Sequence, residues 1–189
     1  MLAPVIHRSL DEERRFRAAA GHLPAGVFVI LTLLDGAPHG TTATSAVLVS
    51  FAPPLVAVFV ACHGRTHDRI VAVGAFTLNL LRREDHALAR RFANPTRATG
   101  RAGFSGIDLL PRDSGPPVLA GAAAWFACRV HDVVPMGDHA GIVGEVTDCA
   151  RDPDAAPLLA HRGRLHGLGR PVQPPAWMTP ADADLAAAW

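Results

Sequence analysis

The apolar residues of this chain come in short runs. Val27 to Leu33, Leu55 to Ala61 and Phe76 to Leu81 are largely apolar and rich in β-branched or aromatic side chains, and each is set off by glycine, proline or charge. Runs of this length are short for a helix and read as buried strands. Asp35-Gly36 provides a tight hairpin turn, since both residues tolerate positive φ, and His39 to Val49 reads as one returning strand. Pro53-Pro54 closes it, because proline has no ladder donor. Ala122 to Val134 and Ala140 to Val146 read as longer strands joined at Gly137-Asp138. Helical signals are fewer. Ser9-Leu10-Asp11-Glu12 has the form of a capping box for a helix running to Ala20, with Gly21 as its stop. Thr66 is expected to cap a short helix to about Val73, with Asp68 in its first turn. Leu88 and Phe92 share a face of a helix from Glu84 to Phe92. Asn94 to Gly106 reads as loop. Many strands, few helices and frequent turns predict a mainly β fold, an antiparallel barrel with peripheral helices.

At 189 residues the chain has room for one domain. Its net charge of +1 lacks the concentrated basic surface that phosphate backbones or anionic membranes require. Every basic residue is arginine, and tyrosine is absent, so lysine Schiff-base and tyrosine acid–base chemistry are excluded. Cys62, Cys128 and Cys149 are widely spaced and form no CxxC pair, which fits a reducing, cytoplasmic setting; Cys128 reads as packing. Met1 to Leu10 lacks the apolar core of a signal peptide, and Ala46 to Cys62 is broken by Ser50 and two prolines, so no spanning helix is expected.

Three segments carry candidate chemistry. Gly40-Thr41-Thr42-Ala43-Thr44-Ser45 sets four hydroxyls among six residues without a charge. Small hydroxyls and accessible amides suit a flat polar heterocycle or a phosphate, although the segment also reads as a threonine-rich edge strand. His63-Gly64-Arg65-Thr66-His67 follows a buried strand and opens a helix, where free amides and an arginine can hold an anion; a plain capped loop is the other reading. His139, at the Gly137-Asp138 turn, can donate to a ligand or simply be solvated. No HExxH and no zinc-finger spacing occurs, so no metal is expected; Cys62, His63 and His67 are the one local cluster. GxGxxG, GxxxxGK[ST] and GxSxG are also absent.

In order, these segments resemble the flavin reductase-like domain family from about Phe16 to Leu168. The resemblance runs through Phe16-Arg17, Pro24-Ala25-Gly26-Val27, His39 to Ser45 and Ser50-Phe51-Ala52-Pro53-Pro54-Leu55-Val56. It continues through Gly74 to Leu81, Ala89 to Ala93, Gly103-Phe104, Pro117-Val118-Leu119 and Cys128. Gly137-Asp138-His139, Gly144-Glu145-Val146 and Pro157-Leu158-Leu159 close the series. Leu48, Cys62 and Gly64 depart from the family's usual residues. The resemblance implies an antiparallel, Greek-key split β-barrel over residues 1–168, with 169–189 a Pro/Ala-rich tail. It implies an enzyme, an NAD(P)H-dependent flavin reductase that moves hydride from NADH or NADPH to FMN or FAD and supplies reduced flavin to a partner monooxygenase. Its members are generally homodimers. It implies that Thr42, Ala43, Thr44, Ser45 and Ser50 bind the flavin and that Gly64, Arg65 and Thr66 hold its phosphate. His139 is implied to position the nicotinamide, with no acid–base residue assigned. Two other activities fit the same residues: an oxidoreductase that keeps FMN and acts directly on an organic substrate, and a flavin-binding module without nicotinamide chemistry.

Overall fold

The computed structural model describes residues 9–170. The tail expected at 169–189 lies outside them from residue 171 on, as do residues 1–8 at the start of the chain. Helix α1 (Leu10–Ala20) opens on the capping box: the Ser9 hydroxyl accepts from the Glu12 amide, and the Ser9 amide donates to the Glu12 carboxylate. Strands β1 (Ala25–Gly26), β2 (Phe28–Leu34), β3 (Ala37–Ala43), β4 (Ala46–Phe51) and β5 (Pro54–Ala61) follow. Then come α2 (Arg65–Val73), β6 (Ala75–Leu80), α3 (His86–Ala93) and a 3-10 turn at Gly100–Phe104. The remaining strands are β7 (Leu109–Leu110), β8 (Val118–Leu119), β9 (Ala124–Met136), β10 (His139–Arg151), β11 (Leu159–His161) and β12 (Arg164–His166).

Seven antiparallel strands make the main sheet, in the order β3-β2-β6-β9-β10-β5-β4. Its two edge strands, β3 and β4, are consecutive in the chain and separated only by Thr44 and Ser45. The sheet therefore curls until its edges meet at that link, giving the split barrel. Asp35 and Gly36, both at positive φ, turn β2 into β3 as the sequence predicts. Strand β2 is apolar on both faces because both are covered. Val29 and Leu31 join a cluster with Leu81, Ala89, Phe92 and Leu119, while Ile30 joins Val58, Ile70, Phe76 and Ile142 on the other side. Successive strand residues point to opposite faces, so a strand buried on two sides loses its alternating pattern. Cys128 is packed in the second cluster, and burial pushes its thiol up to about 12.

Four expectations need correction. The single strand read over His39 to Val49 is two strands on opposite sheet edges, because the chain crosses the split at Thr44–Ser45. The second proline of Pro53-Pro54 opens β5 instead of lying between strands; proline is tolerated at a strand's first residue. Thr66 does not cap α2. Gly64 occupies that position, and Thr66 sits inside the first turn, buried. The loop read over Asn94 to Gly106 contains the 3-10 turn at Gly100–Phe104, held by Phe104 packing on Phe92.

Candidate functional site

A cleft of about 310 Å³ opens at the split. It is lined by Thr41 to Ser45, by Phe59 to Ala61 at the end of β5, by Gly64 just before α2 and Thr66 within it, and by His139. Register explains why segments so far apart in sequence meet there. β5 runs antiparallel to β10 with Ala61 opposite His139, and the Cys62 amide donates to the Asp138 carbonyl. The end of β5, the start of α2 and the Gly137-Asp138 turn are thereby fixed together. The link between β5 and α2 is tight: the Gly64 amide donates to the Ala61 carbonyl, and a Cβ on Gly64 would lie 3.1 Å from that oxygen. No side chain caps α2, so amides of its first turn are left for solvent or a ligand.

Thr42, Ala43, Thr44, Ser45, Gly64, Thr66 and His139, all singled out from sequence, face this one cleft. Two others do not. Ser50 lies on a separate apolar groove, beside Leu48, Phe51 and Phe126. Arg65 is exposed on α2 and does not line the cleft. The hydroxyls are not equivalent. Thr42 spends its hydrogen on the Ala89 carbonyl of α3 at 2.7 Å, so towards the cleft it can only accept. Thr44 and Ser45 are exposed and no hydrogen bond among the described residues engages their side chains, so both can donate. His139 is about half exposed, its Nδ1 is 2.8 Å from an Asp138 carboxylate oxygen, and that contact holds the Asp138 carboxyl below its ordinary range.

Behind the cleft wall lies a polar network that sequence reasoning did not isolate. His39 is buried, and its Nε2 is 3.1 Å from Thr66 Oγ1. Thr66 Oγ1 stands 2.8 Å from Thr41 Oγ1. Arg97, on the loop after α3, donates to the Gly40 carbonyl, to the Asn94 carbonyl and to Thr41 Oγ1. Burial, followed by the charges of Arg97, Arg69 and Arg65, lowers the His39 pKa from 6.5 to about 4, so the ring is neutral at physiological pH. Thr41 was visible in the hydroxyl-rich segment. Nothing in the sequence marks His39 as buried or brings Arg97 to it.

A second cavity of about 620 Å³ lies on the far side of Thr42 and Thr44, which line both. Its other walls include His86, Ala89 and Arg90 of α3 and Arg164 of the last hairpin, with no acidic residue. Among the described residues no three metal-ligating side chains gather. None of the described helices is long and apolar enough to cross a membrane.

Comparison with known proteins shows the family. The model of the flavin reductase like domain matches residues 20–169. An NADH-dependent FAD reductase of Streptomyces globisporus is 35% identical over 152 residues, covering 80% of this chain and 83% of that protein. The reductase subunit HsaB of a flavin-dependent monooxygenase of Rhodococcus jostii (strain RHA1) is 32% identical, covering 83% and 78%. Among solved structures, the NADH:FAD oxidoreductase of Streptomyces globisporus C-1027 superposes with a TM-score of 0.78 at 30% identity, over 89% of this chain and 100% of that one. It has also been solved in complex with NAD and FAD fragments.

Proposed function

The chain belongs to the flavin reductase like domain family, and from that membership we propose that it is an NAD(P)H:flavin oxidoreductase. It takes hydride from NADH or NADPH to FMN or FAD, and the reduced flavin passes to a partner monooxygenase. One observation carries this reading: free hydroxyls, an uncapped helix start and a half-exposed histidine open on one cleft at the barrel split. The residues present suit a flavin. Ala43, Phe59, Val60 and Ala61 give apolar contact for a flat ring, and Thr44 and Ser45 can donate to its polar edge. Thr42 can accept from it. The amides of the first turn of α2 suit its phosphate.

Flavin, when bound, supplies the hydride acceptor. The side chains orient and exclude. His139, with its ring turned by Asp138, stands at the open side of the cleft and is assigned to nicotinamide positioning. No acid–base residue is assigned, because hydride transfer requires none. Ser50 and Arg65 are given no direct contact. Residues 1–168 are read as the catalytic domain, and the family match ending at residue 169 is in keeping with that boundary.

The active unit is proposed to be a homodimer. Val47, Leu48, Val49 and Phe51 of edge strand β4 are each at least half exposed. An uncharged apolar edge strand of this kind is an aggregation hazard unless it is covered. A second copy covering it through a two-fold axis is the simplest arrangement.

The test is anaerobic mixing of the purified protein with NADH or NADPH and with FMN or FAD, in all four pairings. At least one pairing is expected to bleach the oxidised flavin with stoichiometric loss of reduced nicotinamide. Silence in all four ends the reductase reading.

A further inference from the structure

We propose that His39 is a positioning residue of the flavin site, acting through Thr66 to fix the Thr41 hydroxyl as a donor to a phosphate oxygen of the bound flavin. The inference rests on the flavin reading above. It follows from counting hydrogens and lone pairs. A hydroxyl has one hydrogen to give and two lone pairs to receive with. The Thr41 oxygen receives from Arg97 at 3.4 Å and stands 2.8 Å from Thr66 Oγ1, where either hydroxyl can be the donor. Its own hydrogen has three outlets, the cleft that Thr41 lines, Thr66 Oγ1, or His39 Nε2 at 3.4 Å.

An anion in the cleft decides among them. Once its oxygen takes the Thr41 hydrogen, Thr66 must donate to Thr41, and its 3.1 Å contact with His39 Nε2 is then a hydrogen bond only if Nε2 carries the hydrogen. A nitrogen that bears hydrogen cannot accept one. With that anion bound the donors run from His39 to Thr66 to Thr41, and the last hydrogen faces the cleft. The backbone builds this line simply. His39 and Thr41 are two apart on β3 and share a face, and the first turn of α2 sets Thr66 between them.

Charge selects the acceptor. The charged groups acting on His39 are Arg97 from the loop after α3 and Arg65 and Arg69 from α2, all cations. Arg69 donates to the Ala37 carbonyl, and Arg97 donates to carbonyl and hydroxyl oxygens; among the described residues neither meets a carboxylate. This uncompensated positive charge beside a hydroxyl that can donate favours an anionic oxygen, which in a flavin is that of the phosphate.

The experiment compares FMN with riboflavin, which lacks the phosphate, by fluorescence titration of the full-length protein. Thr41→Val and His39→Leu are each expected to raise the FMN dissociation constant about tenfold or more, the loss of one charge-assisted hydrogen bond, and to leave riboflavin within about twofold. Thr41→Ser and His39→Gln, which keep a hydroxyl and an N–H donor, are expected to restore most of the FMN affinity. A simple packing defect would not be rescued in this way. Because the two residues act in one line, the double variant His39→Leu with Thr41→Val is expected to bind FMN no worse than Thr41→Val alone. Equal losses for FMN and riboflavin, additive losses in the double variant, or an unchanged FMN constant in His39→Leu would each overturn the relay. A wild-type protein that binds neither ligand overturns the flavin reading itself, which separates the two failures.

Discussion

At the scale of single residues, His39 has a consequence for stability. The unfolded chain protonates this imidazole near 6.5, whereas the folded chain does so only near 4. Between those values the unfolded state binds more protons, so acid favours unfolding. The contribution is complete above pH 6.5 and is lost as pH falls to 4. It amounts to about 3 kcal/mol at most. His39→Gln, which keeps the N–H but cannot charge, is expected to flatten the pH dependence of urea-unfolding stability over that window, and a slope identical to wild type refutes this. The same residue marks where sequence reading stops. Thr44 and Ser45 were legible as candidate hydroxyls because residue type alone supplies them. The tie from Thr42 to α3 and the neutral state of His39 depend on which neighbours arrive from α2, α3 and the loop after it. No local pattern encodes those neighbours.

At the scale of elements, strands and helices that carry their own signals were readable, and those defined by their partners were not. The β2–β3 hairpin has positive-φ residues at its turn, and α1 has both halves of its capping box. By contrast, β3 and β4 read as one strand because composition barely changes across Thr44–Ser45; only the switch of partner, from β2 to β5, separates them. Thr66 looked like a cap because a hydroxyl at a helix start usually is one. Here the tight Gly64 takes that place and Thr66 is drawn inward to Thr41. The autonomy of α1 can be tested. None of its residues is buried, so its first turn depends on the cap more than on the core. Ser9→Ala is expected to cost about 1 kcal/mol locally. It should appear as faster amide exchange in α1, while the exchange of β2 and β9 amides stays unchanged. Global destabilisation of those strands would show that α1 is coupled to the barrel.

At the scale of the whole molecule, closure of the sheet and exposure of β4 have the same origin. Curling β3 towards β4 creates the cleft, and it also leaves β4 as an edge strand paired only to β5. In a strand buried on one side, polar and apolar residues alternate. Val47, Leu48 and Val49 do not alternate, and all are about half exposed, so both faces of β4 are apolar and open in the single chain. A run of that kind is expected where both faces are covered. The adjoining groove of about 440 Å³, with Phe28, Leu78, Phe126 and Val146 in its walls, can receive side chains from another β4. A charge at its centre should be intolerable in the pair and harmless in an isolated chain, where Leu48 already meets water. Leu48→Glu is therefore expected to halve the mass seen by sedimentation equilibrium, with the far-ultraviolet spectrum preserved. Because β4 starts immediately after Ser45, loosening it should also weaken FMN binding, in the same protein concentration range where dimers dissociate. A Leu48→Glu protein that keeps the wild-type mass would refute the proposed pairing through β4. One that is monomeric yet binds FMN as tightly as wild type would show that the barrel split holds its shape without a second copy.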